Sequence, residues 1–338
     1  MSVLVNLIVM LGMFVVVPVG LRLIDEPAGP TGSTGPGRPG GPGGPGGPGG
    51  PGEKAPRRLR ALGRAWPLLA LPGAVALWLP RSPTAAALAT VYALATLALA
   101  LHAPARLAAR LHRPPACADP DRPRAPAASE VAVLTALVTP SVAGLALVAE
   151  RAGHELLGFD LDILALTVPH FHFAGFAAAL VAGLVCRTSE GPATRFAALS
   201  VPLGTLLVLL GYFIDDWAEL AGALILTAGM WAVALPTWRE IRTGAADPVT
   251  RGLLAVSSVV LVATMLLALS WAVGEATGLP HPSLTWMAAT HGLGNALGFA
   301  LCSLLAWRRI QATTTRSTPS TPPLPSAPRP STPKETAS

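Results

Sequence analysis

The sequence predicts an all-α polytopic transmembrane helix bundle of about nine spans, with the N-terminus outside and the C-terminus cytoplasmic. Three observations carry this reading. Of the 338 residues 51% are hydrophobic and only 12% charged, a balance foreign to a water-soluble domain of this length. The apolar residues gather into runs near the length that an α-helix needs to cross a bilayer, about 20 residues. Lys and Arg are divided one-sidedly, 22 in alternate connecting segments and 2, Arg81 and Arg151, in the others. Positively charged loops stay in the cytosol, which sets the orientation. The net charge of +6 therefore reflects topology and not a nucleic-acid footprint; the expected partner is the lipid bilayer, with no nucleic acid.

Residues 1–24 form the first transmembrane anchor, built on the run Val3 to Leu23. Its basic end follows rather than precedes the apolar stretch and no clean small-residue cleavage site ends it, so an uncleaved anchor is expected. Residues 25–65 read as a Gly/Pro-rich cytoplasmic loop, whose few GGP triplets have too little imino content for a triple helix. Residues 66–102 form a transmembrane hairpin, Trp66 to Leu79 and Thr84 to Leu101, turned by Pro80, Arg81, Ser82 and Pro83. Residues 103–129 read as a cytoplasmic Pro/Arg-rich loop.

A six-span core fills residues 130–307. Its runs are Val131 to Ala149, interrupted by Pro140; Leu161 to Cys186; Phe196 to Ile214; Trp217 to Trp238; Gly252 to Val273; and Leu284 to Trp307. Residues 308–338 are a Ser/Thr/Pro cytoplasmic tail that cannot build a core and is expected to be disordered. Cys117, Cys186 and Cys302 show no metal-ligand spacing and all fall toward the cytosol, so no disulfide is expected.

The chemistry concentrates in the fifth and ninth runs. An ionisable residue inside a span costs a few kcal/mol and marks a functional candidate. His170 lies nine residues beyond Leu161 and His291 seven beyond Leu284; at 1.5 Å per residue both sit roughly 10 to 14 Å below the outer surface. His170 and His172 are about 200° apart on an ideal helix, so one of them faces a site and the other a neighbouring helix, unless Pro169 unwinds that turn. His291 and Asn295 share one face of the ninth span. Glu150, Asp215 and Glu275 stand at the outer ends of neighbouring helices, where they would cap a cavity. His and Asn often make plain interhelical hydrogen bonds in membranes. Three histidines, an asparagine and several carboxylates at matching depth favour a cavity instead.

With TVPHFHFAGF at Thr167 to Phe176 and THGLGNALGF at Thr290 to Phe299, the chain resembles the YndJ-like family of bacterial membrane proteins. The resemblance implies a multi-pass protein of the bacterial cytoplasmic membrane, to which a transporter label is sometimes attached. No Walker, GxSxG, HExxH or dinucleotide motif is present, so an enzyme is not the first reading. The leading expectation is a transporter or permease-like protein that binds a small solute or cation at His170, His172, His291 and Asn295. The alternative is an intramembrane hydrolase in which His170, His172, His291 and Asp215 hold zinc or another divalent metal. A third reading takes His170 or His172 with His291 as axial ligands to haem.

Overall fold

Nine helices among the described residues are long and apolar enough to cross a membrane, in the number and order that the apolar runs predict. They are α1 (Val3–Ile24), α2 (Arg58–Trp78), α3 (Pro83–Ala109), α4 (Ala128–Ala152), α5 (Leu161–Thr188), α6 (Pro192–Gly211), α7 (Asp216–Gly244), α8 (Pro248–Thr277) and α9 (Leu284–Thr313). The computed structural model describes residues 3–24, 51–111, 127–189 and 191–316. Most of the Gly/Pro loop, the stretch carrying Cys117, and the tail beyond Arg316 lie outside the described residues.

Polar side chains at the turns fix where the helices begin. Ser82, Asp160, Asp215, Asp247 and Ser283 each accept a backbone N–H from the first turn of the helix they precede. These bonds satisfy donors that have no partner within the helix, and the aspartates also meet the positive end of the helix dipole. Three helices run past their apolar stretches. The helix containing α2 starts at Pro51, inside the predicted loop 25–65. A helical piece His102–Leu111 follows α3 into the predicted loop 103–129, and the helix of α9 reaches Arg316 in the predicted tail. Hydropathy marks only the part of a helix that needs lipid, whereas Ala, Leu and Arg continue it readily into water.

α5 occupies the centre of the bundle. Of its apolar window 83% is buried, against at most 56% for any other span. α1, α4, α6 and α9 all pack on it. Three of these helices widen into π-helical turns: α1 over Gly12–Val16, α5 over Phe171–Ala177, and α9 over Ala288–Gly292 and Gly294–Leu301. The wide turn of α1, that of α5 and the longer one of α9 pack against one another. α6 and α7 form the tightest hairpin, because a Cβ on Gly211 or Gly222 would come within 2.5 Å of the facing backbone.

Charged residues buried near the helix ends are paired. At the acid-rich end, Glu150 is fully buried and binds Arg151 through both carboxylate oxygens, with Arg81 Nε 3.0 Å from Oε1. Arg151 Nη1 in turn donates to the Leu79 and Ala76 carbonyls, at 3.1 and 3.3 Å, and so ties α4 to the end of α2. At the Arg-rich end, buried Glu130 pairs with Arg106 and, at 3.7 Å, with Arg187.

Candidate functional site

Pro169 has no N–H to give, and the turn that follows it is the wide one. His170 and His172 leave this stretch in different directions. The His172 ring N–H at Nδ1 reaches back to the Val168 carbonyl, 2.6 Å away. That leaves Nε2 as an acceptor, and it receives the Tyr92 hydroxyl of α3 at 2.5 Å. The two rings stack with centroids 6.0 Å apart, and Trp66 meets Tyr92 edge-on at 6.1 Å while donating to the Met13 carbonyl at 2.8 Å. A Cβ on Gly12 would lie 2.8 Å from His172 Cγ, so α1 closes directly over the imidazole. His172 is fully buried and satisfied on both nitrogens; it belongs to the core and not to the cavity.

His170 points the other way. It lines a cavity of about 530 Å³ and is exposed there, with only its neighbour Phe171 in ring contact. Among the described residues it has no hydrogen-bond partner. His291 lies on the same cavity. His291 is held by a ring of bonds between α8 and α9. Its Nδ1–H donates to the Thr264 carbonyl at 2.7 Å, Asn295 Nδ2 donates to its Nε2 at 3.1 Å, and the Thr264 hydroxyl donates to Asn295 Oδ1 at 2.9 Å. The cavity thus has one polar group fixed by its neighbours and one that is free.

The remaining wall is mostly aliphatic and aromatic, drawn from every helix but α2 and α3. Among the described residues Glu219 of α7 is its one carboxylate, and Tyr212 lines the same wall. Burial, with the Glu219 carboxylate beside it, holds the Tyr212 hydroxyl above its ordinary range. A two-residue turn in which Leu156 and Phe159 exchange backbone hydrogen bonds also lines the cavity. Phe159 packs edge-on against Tyr212 and Phe213 at 5.6 and 5.2 Å, and Leu157 adopts a left-handed φ of 56°.

Three carboxylates expected around the cavity stand elsewhere. Glu150 is locked in the Arg81 and Arg151 pair, Asp215 caps α7 through Ala218 N–H, and Glu275 pairs with His281 at 3.2 Å. None of them lines the cavity. The predicted zinc set does not assemble: among the described residues no three His, Cys, Asp or Glu side chains are grouped to hold a metal ion. Haem ligation by a histidine pair meets the same obstacle, since His172 and His291 have both nitrogens engaged. Glu219 and Tyr92 escaped the sequence reading. Glu219 sits in the first helical turn of α7, beside Asp215 and Asp216, where an acidic residue looks solvated, and Tyr92 stands in the plain stretch TVYALAT.

A family model described as "YndJ-like protein" matches residues 7–299. One relative, the "Uncharacterized membrane protein YndJ" of Bacillus subtilis (strain 168), is 24% identical over 181 residues. That match covers 53% of this chain and 33% of the relative, so the chain spans about a third of the relative's length. No solved structure matches.

Proposed function

The chain belongs to the YndJ-like family of membrane proteins, and on that premise we propose that its bundle binds a small solute in the α5 and α9 cavity and passes it on in the manner of a permease. The observation that carries this is His170. An imidazole without a partner, exposed in a largely apolar cavity inside the bundle, is costly unless a ligand completes it. His291 and Asn295 supply an oriented counterpart. A cavity of about 530 Å³ falls in the range of small-molecule sites. The wall favours a solute with a substantial apolar part over a hydrated cation, because it is mostly apolar and carries a single carboxylate among the described residues. The same reading places the protein in the bacterial cytoplasmic membrane, with the acid-rich end outside.

The test is flux across proteoliposomes for a panel of small neutral and amphiphilic solutes. At least one solute should cross tenfold faster than with empty liposomes, and His170→Ala and His291→Ala should each abolish most of that gain. If no solute exceeds the empty-liposome rate, or if neither substitution affects one that does, the proposal fails.

A further inference from the structure

The shape and chemistry of the cavity narrow the ligand further. On the acid-rich side, Ala288–Gly292 of α9 packs against α8; beyond it Gly294–Leu301 also packs on α1 and α5. Val5 and Ile8 of α1 and Leu284 and Ala288 of α9 nevertheless line the same cavity. The cavity therefore occupies a wedge between α1 and α9 that narrows toward the Arg-rich end. Both edges of the wedge carry exposed apolar side chains that do not line the cavity: Leu4 and Leu7 on α1, Trp286 on α9. In a membrane these face lipid, so the open side of the wedge meets the acyl chains and not water.

The polar end of the ligand is constrained by charge. Among the described residues no Lys or Arg lines the cavity, so a phosphate or carboxylate would enter without a counter-charge and beside Glu219. An uncharged imidazole offers one donor and one acceptor, the complement of a hydroxyl or a carbonyl. Asn295 has a second amide N–H to offer after its bond to His291.

We propose that the ligand is a neutral amphiphile, an apolar chain ending in a hydroxyl or carbonyl group, that enters sideways from the leaflet between α1 and α9 and bonds to His170. This rests on the binding-site reading above and names its substrate class. The probes are a long-chain alcohol carrying a diazirine, and the same chain ending in a carboxylate or a phosphate, photolysed with the protein in lipid nanodiscs. The alcohol should label cavity-lining peptides of α5 and α9 at least fivefold more than either acid. His170→Ala, and Ala288→Trp as a plug in the wedge, should each cut that labelling at least fivefold, and His170→Gln should restore part of it. Equal or stronger cavity labelling by the carboxylate or phosphate probe overturns the neutral class. Labelling confined to lipid-facing residues, or unaffected by both substitutions, overturns sideways entry. If a water-soluble solute still shows His170-dependent flux in that case, the binding site stands and only this inference falls. Unfolding temperatures of the variants within a few degrees of wild type exclude simple misfolding.

Discussion

The Tyr92 hydroxyl lies 2.5 Å from His172 Nε2, and this bond assigns the two histidines of α5 to different tasks. Tyr92→Phe should leave a buried acceptor unpaired and destabilise the protein by about 1–3 kcal/mol. His172→Leu should cost a similar amount, and the double variant should cost less than the two together, with a coupling of about 0.5–3 kcal/mol. Thermal unfolding in detergent measures all three. Additive effects would show that the bond contributes nothing.

Glu150 and Arg81 should behave unequally although they form one pair. Glu150→Ala leaves the buried Arg151 guanidinium without its counter-charge, an expected loss of about 3–5 kcal/mol and a steep fall in membrane abundance. The Arg81 side chain is 39% exposed, so Arg81→Ala should cost at most about 1 kcal/mol. Equal losses from the two would contradict the burial that separates them.

Asp247 supplies a pH-dependent contribution outside the spans. The Thr250 hydroxyl and backbone N–H, with the Arg309 guanidinium, hold its carboxyl well below the usual carboxylate range. A depressed folded-state pKa gives stability that is complete above the unfolded value, about 4, and is lost as the pH falls through the folded value. Unfolding of wild type and Asp247→Asn should therefore differ at neutral pH and converge below about pH 4. A difference that persisted unchanged at low pH would point to the cap geometry alone.

The nine spans, their order and the pairing of α5 with α9 were legible because each rests on a property that accumulates over many residues: apolar length, loop charge, matching depth. The divergence of His170 and His172 was legible as well, since two residues along a helix cannot share a face. Single contacts were not. Glu150 looked like a cavity cap because it stands at the outer end of its helix, yet Arg151 folds back onto it. The closure of α1 over α5 depends on Gly12 and Gly20, whose absent side chains leave no trace in hydropathy. The helical run from Pro51 lay hidden because charge, which marks a loop in a membrane protein, does not forbid a helix.

Orientation has a direct check. In a background with Cys117, Cys186 and Cys302 replaced by serine, Thr277→Cys at the exposed acid-rich end of α8 should react with an impermeant thiol reagent in intact cells. Thr243→Cys, exposed at the Arg-rich end of α7, should react only after permeabilisation. The opposite pattern would invert the whole bundle.

The π-helical turns of α1, α5 and α9 give the middle of the bundle slack that a straight α-helix lacks. Each such turn accommodates an extra residue within its loop of backbone bonds. Displacing it by one position along the chain rotates the residue it passes by roughly 100° about the helix axis. The turn in α5 begins at Phe171, one step from His170. A one-residue creep toward Leu161 would swing the His170 imidazole across its wall while the remainder of α5 kept its neighbours. Loading and release of a ligand at that ring would then require only a local screw motion, with no rocking of one half of the protein against the other.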